Sequence, residues 1–100
     1  MTYEVRLTPE AMDDLDRLYA SPLDRNLPAA ERALVAIDHA LGLLAYSPFS
    51  CRKALRQKNP RWREILIPFG SSGYVALFEI DNDRTVTVAA IRHQREEDYH

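Results

Sequence analysis

The sequence predicts an α+β domain, with an N-terminal strand and a helical hairpin packed on a small, mainly antiparallel sheet in the order β-α-α-β-β-β-β. Three observations carry this. Trp62–Ile91 reads as three consecutive strands joined by links too short for a crossover, so they form an antiparallel meander. Two stretches between Thr8 and Tyr46 place apolar residues at helical spacing. Tyr3–Leu7 alternates apolar with charged residues, as a strand with one wet face does.

In chain order, Tyr3, Val5 and Leu7 form the dry side of the first strand, with Glu4 and Arg6 opposite. Thr8-Pro9-Glu10 starts a helix. Thr8 is a suitable cap, Pro9 fits the first helical position, and Glu10 lies at the positive end of the helix dipole. Met12, Leu15, Leu18 and Tyr19 are its expected apolar face, with Asp13, Asp14, Asp16 and Arg17 around the other side, and Ser21-Pro22 ends it. A second helix runs from about Asn26 to Tyr46, with Pro28 in its first turn. Its stripe is Ala30, Leu34, Ile37, Leu41 and Leu44, broadened by Ala33, Ala40 and Leu43. Ser47-Pro48 stops it.

Pro48 to Pro60 is the least regular part: Cys51–Leu55 reads as a short strand and Gln57–Pro60 as a turn. Trp62–Phe69 is mostly apolar, with Pro68 near its end, where a strand tolerates it. Gly70-Ser71-Ser72-Gly73 supplies a turn. Tyr74–Ile80 is nearly continuous apolar sequence, expected of a central strand. Asp81-Asn82-Asp83 is turn chemistry, and Thr85–Ile91 is a β-branched strand that runs directly into Arg92-His93-Gln94-Arg95.

One hundred residues make one domain, large enough to bury a core, and an apolar fraction of 46% argues against disorder. The formal net charge is −2, but it is unevenly spread. Residues 1–50 set four arginines against eight acids; residues 51–100 set nine cations against seven acids. Arg52, Lys53, Arg56, Lys58, Arg61 and Arg63 follow one another with no acid between them. Such a run is either an anion-binding face or a solvated edge that discourages sheet-to-sheet pairing. Cys51 is the single cysteine, so the chain has no internal disulfide and no thiolate-based metal site. No stretch approaches the ~20 apolar residues that span a bilayer, and the start has no signal-peptide core, so a soluble cytoplasmic protein is expected.

Two constellations could carry chemistry. The first is the basic segment, with Arg63 inside a strand, where its guanidinium must reach solvent or a partner, and Arg61 two residues earlier. The second is Arg92, His93 and Arg95 with Tyr99 downstream: a proton carrier, two cations and a ring that can stack or donate a proton. Its plainer alternative is a tail whose charges pair with Glu96, Glu97 and Asp98. His39 reads as exposed, His100 as a mobile terminal residue, and Trp62 as a core anchor or a stacking platform. Glu64 and Glu79 read as general bases or ion-pair partners. HExxH, P-loop, GxGxxG and CxxC patterns are absent, and nothing calls for a cofactor or a metal.

YEVRLTPEAMDDLDRLY, REILIPFGSSGYVALFEID and VTVAAIRHQREEDY together resemble the RelE/ParE superfamily of bacterial type II toxins over nearly the whole chain. The ending is closer to the ParE, or plasmid-stabilisation, branch. The resemblance implies a toxin neutralised by a cognate antitoxin, with one of two targets. ParE-like members poison DNA gyrase and are not nucleases; RelE-like members cut mRNA on the ribosome. For the RNA reaction, Arg63 matches the strand arginine of RelE-like toxins, Arg92 and His93 fall where that branch places basic or proton-transfer residues, and Tyr99 matches its C-terminal tyrosine loosely. Helix two carries Arg32 and His39 but lacks the lysines of those nucleases. The expected function is therefore gyrase inhibition, with ribosome-dependent mRNA cleavage as the alternative and a non-toxic binding domain of the same fold as a third reading. For target binding the candidate residues are Arg52, Lys53, Arg56, Lys58, Arg61, Arg63 and Arg95.

Overall fold

The computed structural model describes residues 2–23, 27–54, 61–69 and 72–94. Strand β1 (Glu4–Leu7) leads into helix α1 (Pro9–Leu23) and helix α2 (Leu27–Leu43). A 3₁₀ turn at Pro48–Ser50 precedes β2 (Arg52–Lys53), β3 (Trp62–Phe69), β4 (Ser72–Ile80) and β5 (Thr85–His93). The five strands form one sheet in the order β1-β5-β4-β3-β2. Only β1 runs parallel to its neighbour; the other pairs are antiparallel. The predicted α+β architecture is the one observed.

The helices lie on one face of the sheet. Phe78, Ile37, Leu44, Ile67, Ile91, Val86 and Val88 are fully buried between the two layers. Each such side chain contributes about 1.5–3 kcal/mol of hydrophobic stabilisation. Tyr3, Val5 and Leu7 close this core from β1, as their alternation predicts. As expected of a central strand, β4 is covered on both faces: Val75 and Leu77 are as buried as Ala76 and Phe78. Ala54, Leu77 and Ala90, with Trp62 against them, make a small second cluster on the far face.

Several boundaries differ from the sequence expectation. Helix α1 continues past Ser21-Pro22 to Leu23, a shift typical of fraying helix ends. Helix α2 ends at Leu43, because Leu44, Ala45 and Tyr46 donate to carbonyls only three residues back and tighten the chain. Strand β4 starts earlier than expected, since Ser72 and Gly73 already pair with Phe69 and Pro68 in the ladder. The expected Cys51–Leu55 strand shortens to two residues, and the turn expected at Gln57–Pro60 lies outside the described residues.

The buried face of α1 is also rotated from the expected one. Met12 is exposed, whereas Ala11 and Asp14 are buried beside Leu18. Buried Asp14 is explained by β5. The register of β4 against β5 slips between Leu77 and Phe78: Leu77 faces Ala90 and Phe78 faces Val88, so Ala89 is an extra residue in a β-bulge. β1 ends opposite Val88, leaving the far half of β5 without a strand on that side. The first turns of α1 take over its hydrogen bonds. The Thr8 amide donates to the Val88 carbonyl at 3.0 Å, and the Thr8 hydroxyl donates to the Ala89 carbonyl at 3.2 Å. The Ile91 amide donates to Asp14 Oδ2 at 2.9 Å. The Thr8 hydroxyl also accepts the Ala11 amide at 3.1 Å, which is the capping role expected of it.

Candidate functional site

Arg63 stands opposite Phe78 on β3, so it projects from the helix-covered face where the core runs out. Its Nη1 donates to the Cys51 carbonyl at 2.7 Å and reaches the Phe49 carbonyl at 3.5 Å. Its guanidinium lies 5.5 Å from the centre of the Phe49 ring, in cation–π range. Phe49 meets Tyr3 edge-on at 6.3 Å. Around them is a recess of about 480 Å³ lined by Tyr3, Phe49, Arg61, Arg63, Ile80, Asn82 and Asp83. Burial pushes the neighbouring Cys51 thiol pKa up, and the Arg63 charge pulls against that shift.

Arg52 pairs with Glu64 across β2 and β3 on the opposite face. Its Nε and Nη2 lie 2.8 and 2.7 Å from the same Glu64 oxygen, and that carboxylate is only 5% exposed. Arg61 Nη2 lies 3.3 Å from Glu79. Both strand glutamates are thus ion-pair partners. The described part of the basic segment divides between two faces: Arg52 on one, Arg63 with Lys53 on the other, and Arg61 in the recess beside Arg63. Arg56 and Lys58 lie outside the described residues.

The end of β5 is a separate place. Past the bulge, Ile91 faces the helices with Val86 and Val88, while Ala90 belongs to the far-face cluster. His93 therefore faces the helices, and Arg92 the opposite side. The His93 ring packs edge-on against Tyr74 at 5.5 Å, and Tyr74 packs against Phe69 at 6.0 Å. Burial pushes the Tyr74 phenol pKa up. Arg92 Nη1 donates to the carbonyls of His93 at 3.2 Å and Gln94 at 3.5 Å. The Gln94 amide donates to the Gly73 carbonyl at 2.8 Å, which fixes the strand end to the start of β4. Arg95 and Tyr99 lie outside the described residues.

The profile of the family described as "ParE toxin of type II toxin-antitoxin system, parDE" matches residues 5–98. The chain belongs to this toxin family. It is 34% identical over 93 residues to "Toxin RelE3" of Caulobacter vibrioides, covering 92% of this chain and 95% of that one. It is also 34% identical to "Toxin RelE1" of the same organism, over 80% of this chain and 82% of that one. Two solved structures share the fold. One is a chromosomal ParDE system from P. aeruginosa, with a TM-score of 0.74 and 17% identity over 92% of this chain and 96% of the other. The second is the RelBE2 toxin–antitoxin complex of Mycobacterium tuberculosis, with a TM-score of 0.63 and 24% identity over 94% of this chain and all of that one.

In this ParE-family toxin, Arg63 and His93 share the helix-covered face but occupy opposite ends of the sheet. His93 pairs through Tyr74 to Ile67, four residues along β3 from Arg63. Strand rise and spacing put their backbones roughly 16 Å apart. Arg92 adjoins His93 but emerges on the other face. Asp14 is the residue that reading the sequence misplaced among the solvated positions of α1. Its spacing carried the signal: it falls three residues after Ala11 and four before Leu18, on the buried stripe.

Proposed function

We infer that this toxin arrests growth in the cytoplasm by binding DNA gyrase, without catalysing a reaction of its own, and that a cognate antitoxin neutralises it. The observation that carries the reading is the separation of Arg63 from His93. Cutting RNA through its 2′-oxygen takes a base, a cation on the charged phosphorane and an acid for the leaving oxygen, all within hydrogen-bond reach of one phosphate. Among the described residues, the groups expected to do this stand at two ends and on two faces of the sheet. Arg63 is held by backbone carbonyls and the Phe49 ring, and Arg92 Nη1 by its own strand end. The match to the ParE family over residues 5–98 points the same way.

The second reading is ribosome-dependent mRNA cleavage, and the RelE names of two relatives at 34% identity favour it. Induced expression in a tester bacterium, with parallel readouts of plasmid supercoiling and transcript integrity, separates the two. Gyrase poisoning gives altered supercoiling or DNA breaks with intact transcripts. Cut transcripts with normal supercoiling overturn it, and an absence of growth arrest leaves a non-toxic binding domain of this fold.

The antitoxin is proposed on the fold neighbours, both of which are toxin–antitoxin systems. Acidic residues of such a partner would meet Lys53, Arg61 and Arg63, the cations of this run on the helix-covered side. Affinity should then fall as salt rises, which titration calorimetry at two ionic strengths measures.

A further inference from the structure

We propose that Asp14 is a positioning residue: its buried carboxylate anchors the bulge at Ala89 and so sets the faces on which Arg92 and His93 emerge. Successive side chains of a strand alternate between faces. Val86 and Val88 are in the helix-side core, so an unbroken strand would continue that face through Ala90 and Arg92. The extra residue at Ala89 shifts the phase by one. Ile91 takes the core position and Ala90 turns to the far-face cluster. His93 then meets Tyr74, and Arg92 goes to the other side. One inserted residue thus decides the direction of both candidate target-facing groups.

A bulge leaves backbone groups out of the ladder, and buried groups of that kind need partners. Helix α1 supplies them. Thr8 bonds Val88 and Ala89 from one side of the bulge. Beyond it, Asp14 Oδ2 accepts the Ile91 amide at 2.9 Å, while Arg17 Nη2 lies 3.5 Å from the Ile91 carbonyl and 3.7 Å from Asp14 Oδ1. Asp14 is 4% exposed, so water does not replace it. A carboxylate on a backbone amide is also a stronger anchor than a neutral acceptor. A flat ladder would bring Ile91 out of register with Val88 and leave Asp14 facing no donor. The carboxylate and the bulge therefore support each other. This inference holds for either target.

The test compares the full chain with Asp14→Ala and Asp14→Asn by NMR and by growth inhibition. Asp14→Ala is expected to fold, to lose the Tyr74–His93 nuclear Overhauser contact, and to expose the Ile91 amide to exchange about tenfold faster or more. Contacts between Phe78 and Val86 persist. Asp14→Asn, which keeps an acceptor oxygen, restores the Tyr74–His93 contact. A folded Asp14→Ala with that contact intact overturns the proposal, as does equal loss of all core contacts in both variants, the sign of a purely stabilising role. Should Asp14→Ala not fold, Asp14→Glu decides, because the carboxylate is then displaced by one methylene. Expected is a displaced His93 ring; an unmoved one overturns the claim. Toxicity is read separately. Lost growth inhibition in a folded variant with a displaced His93 ties the strand end to the target, whereas full toxicity removes that link and leaves the gyrase reading standing.

Discussion

The Asp14 carboxylate accepts the Ile91 amide at 2.9 Å, joining helix α1 to the last strand across 77 positions of sequence. This bond lies where β1 has ended and β5 continues, so the helix performs the pairing that a neighbouring strand would otherwise perform. Asp14→Ala leaves a buried amide without its charged acceptor. The expected loss is about 1–3 kcal/mol of folding stability, read as a lower urea midpoint at unchanged slope. An unchanged midpoint would mean that the Ile91 amide finds another acceptor at no cost.

Gly73 is the second control point for the strand end. A Cβ built there would overlap the Ile67 carbonyl oxygen and press on the Phe69 amide, both backbone atoms with little room to move. The Gly73 carbonyl also accepts the Gln94 amide. Gly73→Ala is therefore expected to separate β3 from β4 locally and cost roughly 1–3 kcal/mol. The resonances of Gln94 and His93 should move with those of Ile67. Movement confined to residues beside Gly73 in sequence would contradict this coupling.

Arg63 gives a prediction that divides structure from chemistry. Arg63→Ala removes a guanidinium bonded to the Cys51 carbonyl and stacked on Phe49. The expected loss is about 1–2 kcal/mol, from one charge-assisted hydrogen bond and a partly exposed cation–π contact. On the gyrase reading, transcripts stay intact with wild type and variant alike at a temperature where the variant is folded. Loss of arrest in a folded variant, together with disappearance of transcript cleavage, would favour the RNA reading.

The alkaline limb of the stability curve follows from two acids, half-buried Cys51 and buried Tyr74. The pKa values of Cys51 and Tyr74 are both raised by burial above their ordinary values of 9.0 and 10.0. A raised pKa in the folded state means that the unfolded chain gives up its proton first as pH rises. Stability is therefore complete below about pH 9 and falls above it, first through the thiol and then through the phenol. Cys51→Ser should flatten the first part of this fall in urea titrations between pH 8 and 10. A wild-type curve that is flat across that range would show that the Cys51 thiol is not coupled to folding.

Much of the fold was legible because its signals are local and redundant. β3 begins and ends where the Trp62–Phe69 run does, and Tyr74–Ile80 read as a central strand because both its faces are covered. Thr8 was recognisable as a cap from its place before Pro9 and Glu10. The candidate site was less legible. Nothing in TVTVAAIRH marks Ala89 as an extra residue, since bulge placement depends on a partner strand and on a helix 77 positions away. Without the bulge, the alternation assigns Arg92 and His93 to each other's faces. The cationic run from Arg52 to Arg63 read as one surface because sequence order hides the strand pairing. The pairing sets Arg52 against Glu64 on one side and Lys53 with Arg63 on the other.

The most direct measurement of the central claim is a supercoiling assay with purified gyrase and relaxed plasmid, titrated with the purified toxin. The account predicts inhibition of supercoiling or trapped DNA breaks at near-stoichiometric toxin, in the absence of ribosomes and RNA. Full supercoiling at high toxin excess, from protein that arrests growth in cells, would contradict it and move the search to the ribosome.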